Sequence, residues 1–208
     1  MSEKFKISNL DLYYGDFHAL KDINMSIGSN EITAFIGPSG CGKSTLLSLL
    51  CGLLTPEEGS IVIDGIDRRD SPAVIGYMLQ KDHLFEWRSI LSNTALGLEI
   101  HGNVSPNDKK DLLSMLKTYG LEQFSASKPS ELSGGMRQRA ALIRTMALKP
   151  DILLLDEPFS ALGYQTRLEV CDDISSIIRS RRKTAIPITH DLSEAVSTAD
   201  RILVLTSR

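Results

Sequence analysis

The sequence has little cysteine, no surplus of positive charge and no long apolar run. Its three cysteines, Cys41, Cys51 and Cys171, form no CxxC pair and are odd in number. A disulfide framework or zinc site is therefore not expected, and a reducing compartment fits. Lys plus Arg is 23 against 26 Asp plus Glu, a formal charge of −3. Nucleic-acid binding would call for a basic excess, so no nucleic-acid partner is expected. The N-terminus leads into no apolar stretch of signal-peptide length. The most apolar run, Leu46 to Leu54, is interrupted by Ser48 and Gly52. A spanning helix needs about 18 or more apolar residues, so any membrane role must come through a partner. Internal repeats and low-complexity segments are also missing.

What is present is an ordinary globular mix: 208 residues, 42% hydrophobic and 24% charged. A chain of this length can bury a full core without staples. Strand character is read at Phe5 to Leu12, Glu31 to Ile36, Ser60 to Asp64, Ala73 to Leu79, Asp151 to Leu155, Thr184 to Thr189 and Arg201 to Leu205. Helices are expected at Lys43–Leu54, Ser92–Ile100, Pro106–Tyr119 and Gly135–Leu148, with Ser105 a candidate cap before Pro106. Strands alternating with helices predict an α/β core, with the helical stretch of about residues 85–149 inserted into it.

Gly37, Pro38, Ser39, Gly40, Cys41, Gly42, Lys43, Ser44 and Thr45 form a G-x-x-x-x-G-K-S/T string between an expected strand and an expected helix. Glycines let backbone close around phosphate, and the inward N–H groups with the helix dipole make an anion site. Lys43 would reach the β- and γ-phosphates, and Ser44 would ligate Mg²⁺. Ile152 to Leu155 reads as a central parallel strand, with Asp156 and Glu157 at its C-terminal end, where open α/β sheets bind ligands. Asp156 is placed to hold Mg²⁺, and Glu157 to polarise an attacking water as a general base.

Between these two lies Leu132-Ser133-Gly134-Gly135-Met136-Arg137-Gln138-Arg139. This string resembles the signature motif of the ATP-binding cassette (ABC) ATPases, and the chain is similar to that family over essentially its whole length, in the right motif order. The resemblance implies an α/β P-loop NTPase core, mostly parallel sheet flanked by helices. It further implies an N-terminal antiparallel β subdomain and an inserted helical subdomain. The whole chain would then be one ABC ATPase domain, with core 1–84 and 150–208. Two cassettes would pack head to tail, as a homodimer or with a paired subunit, so that Ser133, Gly134 and Gly135 face the other's γ-phosphate. By the same resemblance Tyr14 stacks on adenine, Gln80 senses Mg²⁺ and water, and His190 is the switch histidine that contacts the γ-phosphate. Asp191-Leu-Ser-Glu194 resembles a helix capping box.

The resemblance further implies ATP and Mg²⁺ as cofactors, catalytic roles for Lys43, Gln80, Glu157 and His190, integral permease subunits and a separate solute-binding protein. It places the chain peripherally at the cytoplasmic face of the cell membrane. Leu84-Phe85-Glu86-Trp87-Arg88 lies where the permease docks in the family, and reads either as an exposed interface or as core packing. It is similar to the Pro-Trp-Arg pattern of sulfonate, taurine and nitrate importers, with Glu86 in place of proline. Cys41, inside the phosphate loop, is expected to block ATP binding when alkylated. Arg179 to Lys183 reads as a solvated, basic helix end. The chain ends soon after Leu205, so no regulatory C-terminal domain is expected.

Two positions depart from the family pattern. Gly163 stands where Ser-Ala-Leu-Asp has a carboxylate that couples the two sites. Pro187 lies inside the strand leading to His190, so either that strand is locally unpaired or the switch is displaced. They prompt an alternative, a soluble nucleotide-gated clamp with little turnover. Soluble cassettes of DNA repair carry a long coiled coil before the signature, whereas Ser44 and Ser133 are only 89 positions apart; translation types join two cassettes in one chain. The transported solute is not readable from these residues.

Overall fold

A computed structural model describes residues 2–102, 104–159, 162 and 164–206, with all their side chains but those of residues 164–166, 168 and 169. Two sheets organise it. The first is antiparallel: β1 (Glu3–Tyr14), β2 (Phe17–Gly28), β4 (Glu58–Ile63) and β5 (Ile66–Asp67), in the order β2-β1-β4-β5. The second holds β3 (Thr33–Ile36), β6 (Ile75–Met78), β7 (Ile152–Asp156), β8 (Thr184–Thr189) and β9 (Arg201–Val204), in the order β6-β7-β8-β3-β9, with parallel pairing throughout.

Among the described residues six α-helices accompany them: α1 (Lys43–Cys51), α2 (Ile90–Ile100), α3 (Pro106–Thr118), α4 (Gly134–Met146), α5 (Tyr164–Ser180) and α6 (Leu192–Thr198). Strand side chains alternate between faces, so β7 serves two cores at once. Ile152 and Leu154 pack with α1 residues and the antiparallel sheet, while Leu153 and Leu155 pack with the helical side. All four are fully buried or within 1% of it. None of the described helices is long and apolar enough to cross a membrane.

The local reasons are legible. α1 stops at Cys51 rather than Leu54 because Gly52 turns left-handed (φ 82°) and the Gly52 and Leu53 N–H groups close on the Leu49 and Ser48 carbonyls. α3 starts as expected: Ser105 caps it, Asp108 returns the bond, and Pro106 fills the first turn. The antiparallel sheet agrees with the expected subdomain, although β2 was not among the expected strands.

Pro187 is accommodated, not excluded. β8 runs unbroken, and Pro187 pairs with Leu155 on β7. The Ala185 N–H donates to the Glu31 carbonyl on the β3 side, and residue 187 shares that side by the two-residue period. There the ladder to β3 has a gap, resuming in the same register at Phe35↔Ile188. The strand is locally unpaired toward β3. Gly163, with Ser160 and Ala161, lies outside the described residues.

Candidate nucleotide site

Register assembles the site. β6, β7 and β8 are parallel neighbours, with Met78 opposite Leu155 and Leu155 opposite Pro187. Two residues further along, Gln80 and Glu157 leave their strands at one level, and His190 follows just beyond. The Gln80 amide donates to Glu157 Oε2 at 2.9 Å, and His190 Nδ1 lies 3.2 Å from Glu157 Oε1. Glu157 itself is left-handed (φ 42°), an uncommon state for a residue with a side chain. Its N–H donates to the Ile188 carbonyl at 3.0 Å, which fixes the end of β7 against β8.

β3 lies on the far side of β8, and its chain turns into the phosphate loop directly after Ile36. A Cβ on Gly37 would run into the Leu205 carbonyl, so no side chain fits there. Gly42, at φ 96°, caps α1, and a Cβ there would come within 2.6 Å of Leu20. Lys43 is buried, and its ammonium donates to the Gly37 and Pro38 carbonyls, 2.8 Å each. The Ser44 hydroxyl donates to Asp156 Oδ1 at 3.2 Å, and the Tyr77 phenol to Oδ2 at 3.3 Å. Burial pushes the Asp156 carboxyl above the usual carboxylate range, against the lowering pull of those two hydroxyls. Burial first, and then the Asp156 charge, push the Tyr77 phenol up as well. Tyr77 thus belongs to the site, although its position inside a strand gave no sequence signal.

Ser39, Gly40, Gly42, Lys43, Ser44, Thr45 and Glu157 line one cleft of about 300 Å³, closed on one side by Tyr14, Phe17 and Ala19. Tyr14 and Phe17 face each other across the β1–β2 hairpin, and both are more than half exposed. Phe17 is an aromatic neighbour of Tyr14 that sequence reading passed over; the tight Gly15-Asp16 turn was the available clue. Cys41 lines a second groove with Leu203 to Thr206 and β2, and its thiol lies 3.7 Å from the Lys43 ammonium.

The Ser133–Gly135 turn stands apart from this cleft. Ser133 caps α4, its hydroxyl accepting from the Met136 N–H at 3.4 Å. Ser133 and Gly134 are exposed, and Gly135 is buried. Arg137, on the same helix, donates to both Asp82 oxygens, 2.9 and 3.3 Å away. Arg144 donates to the Asp82 and His83 carbonyls. The segment after Gln80 is therefore tied to α4. Beyond it, Phe85 is half-buried and Trp87 is 73% exposed, with the rings stacked at 4.7 Å. Of the two sequence readings, Trp87 follows the exposed one.

One further expectation needs correction. Asp191 caps α6, but Glu194 does not complete a capping box: it turns inward to the Thr189 hydroxyl, and the Asp191 N–H goes to that hydroxyl as well. Arg179 to Arg182 are exposed at the end of α5, as expected, with Arg179 also donating to the Thr198 carbonyl and to Asp200.

A backbone loop and helix N-terminus built for phosphate, with a carboxylate pair at the end of β7 in the same sheet, define a P-loop nucleotide-binding protein. The sequence profile described as ABC transporter matches residues 20–160. The chain belongs to the ABC transporter family, as an ATP-binding, ATP-hydrolysing subunit. It is 44% identical over 190 residues to the uncharacterized ABC transporter ATP-binding protein YtlC of Bacillus subtilis, covering 91% of this chain and 73% of that one. It is 39% identical to the taurine import ATP-binding protein TauB of Yersinia pestis, over 96% and 78% of the two chains. Among solved structures, the dimeric post-hydrolysis state of the ATP-binding cassette MJ0796, bound to ADP and Pi, superposes with a TM-score of 0.80. That match is 32% identical and covers 97% and 94% of the chains.

Proposed function

We propose that this chain powers a solute importer, closing as a pair of cassettes on two Mg·ATP and reopening after hydrolysis. The observation that carries it is Glu157, flanked by Gln80 and His190 and sharing a cleft with the phosphate loop. In that role the Lys43 ammonium exchanges its loop carbonyls for the β- and γ-phosphate oxygens. Tyr14 stacks on adenine, with Phe17 beside it. Glu157 takes the proton of the attacking water, Gln80 orients that water, and His190 contacts the γ-phosphate.

Hard oxygen donors from Ser44, Asp156 and Gln80 suit Mg²⁺. Among the described residues no group of three or more His, Cys, Asp or Glu could hold a metal alone. That fits an ion held partly by the triphosphate, where it would neutralise charge developing on the phosphate oxygens. The Ser133–Gly135 turn completes the partner cassette's site. Differential binding of the closed and open states drives the rearrangement. Phe85 and Trp87 offer the docking surface for integral permease subunits, which places the chain peripherally at the cytoplasmic face of the cell membrane. A separate solute-binding protein delivers the cargo. The import direction is supported by the taurine relative, and the chemistry of the solute lies with the partners.

Glu157→Gln tests the reading. Nucleotide affinity is expected to stay within about twofold, while steady-state ATPase falls by roughly 100-fold or more. Equal rates for the two proteins would replace this reading with a clamp that barely turns over.

A further inference from the structure

The first turn of α6 holds a carboxylate in an unusual place. Glu194 is only 4% exposed, although the residue at this position of a helix can ordinarily reach back to the cap N–H in water. Its Oε2 accepts from the Thr189 hydroxyl at 2.9 Å, and its Oε1 is buried with no hydrogen-bond partner. A carboxylate buried this way opposes folding, and an apolar side chain would pack there at lower cost.

Thr189 and Asp191 flank His190. The Thr189 hydroxyl has one proton, and it is directed at Glu194. That leaves the oxygen lone pairs turned to the Asp191 N–H, which donates at 3.0 Å. Asp191 is held again from its side chain, where Oδ1 caps α6 and Oδ2 accepts from Arg167 of α5 at 2.9 Å. The backbone on both sides of His190 is thus fastened to a single hydroxyl that Glu194 aims.

We propose that Glu194 is a positioning residue for ATP hydrolysis, holding His190 against Glu157 through the Thr189 hydroxyl. This rests on His190 as the γ-phosphate contact. The charged and titratable groups facing Glu194 are Asp191 and His190 beside it and Arg167 and Cys171 on α5. Burial, only partly offset by Thr189, pushes its carboxyl up to about 7. The ionised form is the stronger acceptor for Thr189, so the clamp is tight above that pH and slackens below it.

The experiment measures kcat against pH, with nucleotide affinity in parallel, for the full chain and for Glu194→Gln, Thr189→Val, their double variant and His190→Ala. Glu194→Gln keeps the shape but cannot ionise. It is expected to match the parent at pH 6 and to fall about threefold or more below it at pH 8.5, with affinity unchanged. Thr189→Val should show a loss of the same size at pH 8.5, and the double variant no further loss. A Glu194→Gln to parent ratio that stays constant across pH, or losses that add in the double variant, would overturn the proposal. His190→Ala separates it from the reading beneath: an unaltered rate there removes the role of His190 itself. A reduced rate there, with Glu194→Gln indistinguishable from the parent, removes only the role of Glu194.

Discussion

Both the phosphate loop and the Ser133–Gly135 turn lead into a helix N-terminus, yet their surroundings differ. Around the start of α1 stand Lys43, bonded to the loop carbonyls, Ser44, bonded to Asp156, and Glu157, which shares their cleft and bonds Gln80 and His190. At the start of α4, exposed Ser133 and Gly134 lead the helix, and the Ser133 hydroxyl serves its own cap. A helix N-terminus alone offers roughly half a unit of positive charge. The first corner therefore has the charges to bind a triphosphate by itself. The second has only backbone N–H groups and a hydroxyl to add to a phosphate already held elsewhere. The proposed pairing of two cassettes accounts for the difference as a site divided between two chains.

The largest expected effects follow from that contrast. Lys43→Ala should lower ATP affinity by about 100-fold or more, read by titration with a fluorescent nucleotide, because the buried ammonium has no substitute in the loop. Ser133→Arg should leave the affinity of the single chain within about twofold and yet abolish ATP-induced dimers, read by scattering in the Glu157→Gln background. Equal loss of affinity in the two variants would place both corners in one chain's site and break the comparison.

A smaller effect is expected between the corners. Arg137 of the signature helix holds Asp82, in the segment that begins at Gln80. Burial is the largest single influence and works against the Asp82 charge, but the Arg137 hydrogen bonds, the Leu84 N–H and the Arg137 and Arg144 charges together outweigh it and hold the carboxyl below its usual range. Arg137→Ala should cost about 1–2 kcal/mol, a few degrees in Tm. The sign with pH follows from a depressed carboxylate: the contribution is present above the unfolded value of 3.8 and is lost as pH falls through the lower folded one. The gap between parent and variant should therefore close in acid. A gap that persists there would mean that Arg137 acts through packing of its stem.

How far the sequence carried this site varies residue by residue. The phosphate loop, β8 and the cap of α3 follow from local rules, and each stands where those rules put it. β2 did not show itself because only Leu20 and Ile27 of its twelve residues are buried, and its pairing with β1 is broken by bulges. A two-residue alternation cannot survive that. Spacing made Asp191 and Glu194 look like a capping box; only the packing of α5 and β8 around α6 turns Glu194 inward. The loop position of Cys41 was legible, but that its thiol would sit 3.7 Å from the Lys43 ammonium was not, since one backbone turn decides where that side chain goes. Tyr77 reaches Asp156 only because β6 and β7 are neighbours, a pairing that joins residues almost eighty apart in sequence.

The smallest effect on the chain itself is expected at Trp87. Its ring stacks on Phe85 and is otherwise largely exposed. The turn beneath is set by Asn93, fully buried, whose amide donates to the Phe85, Arg88 and Ser89 carbonyls and whose oxygen accepts from the Phe85 N–H. Removing the indole therefore removes neither core nor scaffold. Trp87→Ala should leave Tm nearly unchanged and the ATPase of the isolated chain within about twofold, as surface substitutions usually do. In membranes carrying the permease, co-sedimentation of the chain should fall by about tenfold or more, because an exposed aromatic on a rigid turn has the character of an interface anchor. Asn93→Ala should weaken the same docking by loosening the turn, but with a measurable loss of stability. If instead Trp87→Ala lowers Tm by several degrees and leaves membrane association intact, the aromatic pair serves the fold and the partner docks elsewhere.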